Sequence, residues 1–193
     1  MVAGHFGLAA IVKSRARATP LWALMLATQW LDVVFVPLFV AGIERIEPVA
    51  GTRGGYGEGI IYADYTHSLA GAIALSLVFG AVAAWRWGSR SGTVLGGVAF
   101  SHWLIDLVTH RADMPILPAN AGGWPRLGFG LWRFPTASIV AELVLVIAGF
   151  AMYRGAAVRV AGDESSTIRT AQLASLIVLT AGLLTLAMNV AGY

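Results

Sequence analysis

The segment SHWLIDLVTHRAD, residues 101–113, closes an apolar run that begins near Thr93. Such a run reads as a membrane-spanning helix, and its second half carries four side chains able to ligate a metal. At 100° per residue, Asp106, His110 and Asp113 fall within about 80° of His102, so the four share one stripe. An ionisable group at membrane depth costs at least about 2.5–3.5 kcal/mol on insertion scales and turns towards a bundle interior, a cavity or an ion site. The stripe therefore calls for partners from other segments. A buried metal centre is the arrangement that would use it.

Composition points the same way. Of 193 residues, 58% are hydrophobic and only 12% charged, where a soluble domain carries about 25% charged residues. The net charge of +3 comes from basic residues that sit mainly in short loops. They read as membrane topology signals, not as a nucleic-acid footprint. The chain has no cysteine, so neither a disulfide framework nor a thiolate metal site is available. Any ion must be held by imidazole and carboxylate.

The apolar runs define an all-α integral membrane protein with about five transmembrane helices, read as a single domain over residues 1–193, with spans at about 19–43, 66–87, 93–110, 136–153 and 170–190. Before them, residues 1–12 are apolar, carry His5, and precede Lys13, Arg15 and Arg17. That order is wrong for a cleaved signal peptide, and the segment is about half the length of a span. It reads as an interfacial or re-entrant helix. Residues 44–65 are rich in glycine (Gly51, Gly54, Gly55, Gly57, Gly59) and acidic residues and read as an aqueous loop, in which Asp64 is expected to be solvated. Residues 111–135 form a long aromatic and proline-rich stretch, read as a lid at the membrane surface.

Lys13, Arg15, Arg17, Arg86, Arg90, Arg154, Arg159 and Arg169 would lie on one side of such a bundle, and Arg45, Arg53, Arg111, Arg126 and Arg133 on the other. The larger group marks the cytoplasmic side, giving a cytoplasmic N-terminus and an external C-terminus. With that orientation Asp32, His67, His102, Asp106 and Glu142 fall in one outer layer, as a convergent site requires. His5 joins it only if residues 1–12 fold back into the bundle. His102 and Asp106, at i and i+4, are the strongest pair of ligands. His5 and His67 read equally well as interfacial hydrogen-bonding residues, and His110 and Asp113 as span-end residues in water. Asp32 and Glu142 are lone carboxylates within apolar runs, so each needs a partner or a function.

Gly4-His5-Phe6-Gly7, Trp30-Leu31-Asp32, Tyr65-Thr66-His67-Ser68-Leu69 and Ser101-His102-Trp103-Leu104-Ile105-Asp106 together resemble the YdjM-like family of membrane-bound metal-dependent hydrolases, over roughly residues 1–113. The resemblance implies a multi-span protein of the bacterial inner membrane with a metal centre at His5, Asp32, His67, His102 and Asp106. Two positions depart from the family pattern: Val34 stands where an acidic residue often follows the first Asp, and Asp64-Tyr65 replaces the Arg expected before Thr-His-Ser.

The expectation is therefore a hydrolase acting on a membrane lipid or lipid-linked (phospho)ester. Its divalent ion would be Zn, with Mn or Fe as alternatives, and Glu142 or His110 would transfer protons. No nucleic-acid partner is expected. Two other readings use the same residues, a proton or metal-ion transporter and a non-catalytic subunit of a larger membrane complex. In the latter the uncharged last span and small-residue runs such as Gly71-Ala72 and Gly96-Gly97 pack against partner subunits or a second copy.

Overall fold

A computed structural model describes residues 1–52 and 55–191. Arg53 and Gly54 of the expected glycine-rich loop, and Gly192 and Tyr193, lie outside the described residues. The element order is α1 (Val2–Lys13), α2 (Leu21–Thr28), α3 (Trp30–Val40), β1 (Arg45–Pro48), β2 (Gly59–Tyr62), α4 (Leu69–Trp87), α5 (Ser89–Thr109), α6 (Pro135–Ala161) and α7 (Ser165–Ala191). Helices α4 to α7 are each long and apolar enough to cross a membrane, and α2 with α3, bent by 50° at Gln29, are long and apolar enough together, as a broken span or a re-entrant pair. This is the expected helical membrane architecture.

The bend replaces the continuous first span. Thr28 Oγ1 donates to Met25 O at 2.8 Å, a back-bond that weakens helix continuation, and Gln29 leaves helical geometry with φ −110° and ψ 6°. Breaking the ladder there frees the Thr28 carbonyl, and broken helices within a bundle are tolerated where other groups satisfy the freed backbone.

Three other boundaries differ. Helix α5 begins at Ser89, because Gly88 alone, at φ 84°, makes the turn after α4. Helix α6 continues to Ala161 and α7 starts at Ser165, so most of residues 154–169, between the expected fourth and fifth spans, is helical. Charge ends a membrane span but not a helix, and the Ala- and Arg-containing sequence beyond Tyr153 retains good helix formers. Residues 44–65 are also more than a loop. Strands β1 and β2 pair antiparallel with Arg45 opposite Tyr62 and Pro48 opposite Gly59.

Close backbone approaches set the helix packing. A Cβ on Gly7 would lie 2.4 Å from the Leu145 carbonyl, and one on Gly149 would lie 2.4 Å from the Gly7 carbonyl. Helix α1 is therefore seated directly on α6, with Ala3, Gly4, His5, Gly7, Ala9 and Ala10 buried. The short N-terminal helix enters the bundle instead of lying at its surface. A basic pocket formed by Arg15, Arg17 and Arg90 shows that the turn after α1 and the α4–α5 turn share one end of the bundle. Met1 and Asn189 line a cavity at the other end, so α1 runs away from that cavity and α2–α3 returns towards it.

The long segment after α5 is stitched onto the cavity end. Met114 and Leu127 form an antiparallel bridge. Leu69 N and Ala70 N of α4 donate to Pro115 O at 3.0 Å and Ile116 O at 3.1 Å, satisfying first-turn donors that a helix leaves free.

Candidate metal centre

His102 lies on α5 and is fully buried. Its Nδ1 is 2.6 Å from the carbonyl of Thr28. A carbonyl only accepts, so Nδ1 carries a hydrogen, and in the neutral ring Nε2 keeps a lone pair. The helix break at Gln29 thus has a local use, because it supplies the oxygen that orients this imidazole.

His67 precedes α4, whose first turn is set by Ser68 accepting from Gly71 N at 3.0 Å. A side chain at Gly71 would strike the Tyr65 carbonyl, so the tight turn that presents His67 depends on that glycine. His67 Nδ1 lies 2.9 Å from Thr66 Oγ1, and Thr66 Oγ1 donates to Glu44 Oε2 at 2.9 Å. His110 is the residue after α5, with extended backbone at ψ 149°, and its Nδ1 donates to Asp113 Oδ1 at 3.0 Å. The other Asp113 oxygen accepts from Ile61 N at 3.0 Å. His110 and Asp113 are each only 3% exposed, so the span-end, water-exposed reading is replaced by a buried pair. The loop, not continued helix, brings Asp113 into the stripe.

The opposite ring nitrogens converge. His67 Nε2 and His102 Nε2 are 3.3 Å apart. Asp32 Oδ1, from the first turn of α3, lies 3.5 Å from the former and 3.6 Å from the latter. Asp106 Oδ2 is 3.0 Å from His102 Nε2, 3.6 Å from His67 Nε2 and 3.6 Å from His110 Nε2. His5 enters from α1, with Nε2 3.3 Å from Asp106 Oδ1 and its ring stacked on His102 at 4.0 Å and 6°. All four histidines of the chain meet at one place. Two triads of donor atoms, His5-His102-Asp106 and Asp32-His67-His102, each lie within 4.8 Å of one another.

This donor set fits a divalent ion. His67 and His102 turn Nε2 towards each other and towards carboxylate oxygens. Where these nitrogens carry no hydrogen, their lone pairs converge with the carboxylate oxygens on one point, as ligands to a cation would. Mixed imidazole and carboxylate ligands suit Zn and accommodate Mn or Fe. The buried His/Asp cluster could hold a metal ion.

Glu142 is fully buried on α6 but sits beside the cluster, not in it. It accepts from Gly4 N at 3.0 Å and from the Tyr56 hydroxyl. Burial and the Glu142 carboxylate push the Tyr56 phenol above its ordinary pKa, so Tyr56 remains a hydrogen-bond donor. A cavity of about 340 Å³ is lined by His5, Asp32, His67, Asp106, His110 and Glu142 together with Ile46, Tyr56, Gly57 and Trp132. The Asp32 side chain, 37% exposed, is the most open of the carboxylates. Trp132 packs on His110 with ring centroids 4.4 Å apart.

Asp64, expected to be solvated, instead forms a two-pronged pair with Arg126 at 2.6 and 3.0 Å. Arg126 also donates to Asp113 O at 2.7 Å, tying the lid segment to the turn behind His110. Glu44, Thr28 and Tyr56 escaped the sequence reading. Glu44 follows the apolar run as an ordinary loop acid would, the Thr28 contribution is a backbone carbonyl that no residue type announces, and Tyr56 lies in glycine-rich sequence without periodicity.

No family model, no curated protein and no solved structure matches the chain.

Proposed function

We propose that the chain is a membrane-embedded metal-dependent hydrolase related to the YdjM-like family. It would reside in the bacterial inner membrane with its basic end cytoplasmic, and cleave an ester or phosphoester of a lipid or lipid-linked substrate. The convergence of His5, His67, His102, Asp32 and Asp106 on one buried point beside a cavity carries this reading. A bound divalent ion, Zn first and Mn or Fe next, would polarise the substrate oxygen and lower the pKa of a water towards about 7.

The protein residues then have separable tasks. His67 and His102 present Nε2 with Nδ1 fixed behind them. Asp106 touches all four imidazoles and holds them around one point. His110, backed by Asp113 and facing the cavity, is suited to accept and return a proton at Nε2. Glu142, which also lines the cavity, is the second candidate for proton transfer, and it holds α1 and Tyr56 at the cavity wall. The exposed Trp124, Phe129 and Phe134 of the lid suit a membrane surface from which a lipid headgroup enters.

The test is elemental analysis of the detergent-purified protein beside His102→Ala and Asp106→Ala. We expect about one divalent ion per chain in the wild type and loss of most of it in both variants. A wild type that binds no ion even after reconstitution would sink the proposal. It would favour instead the transport reading, which the broken α2–α3 span beside a polar cluster also suits.

A further inference from the structure

Glu44 stands out among the buried polar groups. It is 0% exposed, lies in the turn after α3 with its N–H donating to Leu38 O at 3.2 Å, and has no Lys or Arg within ion-pair distance among the described residues. A buried carboxylate without a counter-charge is costly unless hydrogen bonds compensate it. Here they do, and the same hydrogen bonds lead to the candidate centre.

We propose that Glu44 and Thr66 form a relay that fixes the tautomer of His67 and so makes its Nε2 a ligand atom. The inference rests on the metal-centre reading above. Glu44 Oε1 accepts from Tyr65 N at 2.8 Å and Thr66 N at 2.9 Å. Its other oxygen lies 2.9 Å from Thr66 Oγ1. An ionised carboxylate has only lone pairs to offer, so the single hydroxyl hydrogen of Thr66 is directed to it. Thr66 Oγ1 then faces His67 Nδ1, 2.9 Å away, with lone pairs alone. His67 must place its hydrogen on Nδ1, and Nε2 is left free, 3.3 Å from His102 Nε2 and 3.5 Å from Asp32 Oδ1.

Each step allows one direction only. If the hydroxyl turned round, its hydrogen would occupy Nδ1, Nε2 would carry the ring hydrogen, and His67 could not ligate from that atom. The relay also joins the turn that follows α3, the helix of Asp32, to the turn that presents His67. Glu44 and Thr66 are positioning residues, because neither reaches the point where the ligand atoms converge.

The full chain in detergent tests this with Thr66→Val, Thr66→Ser and Glu44→Gln. Three quantities are read: Zn affinity by competition with a chromophoric chelator, the visible absorption of the Co-loaded protein, and the melting temperature of the metal-free protein. Thr66→Val keeps the side-chain volume but removes the acceptor, and it should weaken Zn binding about 10- to 100-fold. It should also change the Co spectrum. Thr66→Ser should restore both. Glu44→Gln puts an N–H donor opposite the hydroxyl, and should weaken binding in the same sense as Thr66→Val.

Unchanged Zn affinity in Thr66→Val, with at most a lower melting temperature, would overturn the relay while leaving the centre standing. So would a loss that Thr66→Ser fails to recover. A wild type that holds no ion would remove the centre and the relay together. Should Glu44→Gln fail to fold, the Thr66 pair still decides the question.

Discussion

Tyr56 ties the β1–β2 connection to Glu142 of α6, and its behaviour can be checked by pH. The phenol donates to Glu142 and is raised above its ordinary pKa by burial and that carboxylate. A group whose folded pKa is raised contributes stability that is complete below its unfolded pKa, about 10 for tyrosine, and is lost as pH climbs beyond it. Wild-type melting temperature should therefore fall more steeply above about pH 10 than that of Tyr56→Phe, and the two should run parallel at neutral pH. Parallel curves throughout would mean that Tyr56 does not hold the cavity wall. At this scale the His102/Asp106 pair was legible, because helical spacing alone places both on one face. Glu44 was not, since sequence shows its charge but not the backbone N–H groups of Tyr65 and Thr66 that bury it.

At the scale of elements, the position of α1 decides whether His5 belongs to the site. The Gly7–Gly149 contact is backbone against backbone, so a methyl at either position must push the helices apart. Gly149→Ala should cost about 1–3 kcal/mol of stability by overpacking, measurable as a lower melting temperature. It should also weaken metal binding as His5 withdraws from Asp106. Gly97→Ala is the matched control, because its Cβ would meet nothing within 4 Å. It should leave metal content unchanged and stability equal or slightly higher. If both variants retain full metal content, α1 is not what brings a ligand to the centre. The apolar runs were readable as spans because twenty-residue hydrophobicity is a bulk signal. The 50° break was not, because it turns on one threonine back-bond and on a carbonyl captured by His102, a residue more than seventy positions away in sequence.

For the whole molecule, the question is which side of the membrane the cavity faces. The end of the bundle opposite the cavity gathers Lys13, Arg15, Arg17, Arg86 and Arg90, together with Arg154 and Arg159 on the last turns of α6. At the cavity end, Arg45 and Arg126 are paired to Glu47 and Asp64. In the proposed orientation the first end, where basic residues gather, is cytoplasmic, and α1, running from the cavity towards that end, leaves Met1 at the depth of the site. The chain has no cysteine, so single-cysteine variants report position without background. Ala121→Cys, exposed in the lid segment, should react with a membrane-impermeant maleimide in intact cells. Ser89→Cys, exposed at the α4–α5 turn, should react only after permeabilisation. That pattern puts the candidate centre beneath the outer surface, where its substrate must be a lipid or lipid-linked molecule of the outer leaflet or one arriving from outside. The reverse pattern would leave the cluster intact but open it to cytoplasmic substrates, and the substrate search would begin from that leaflet instead.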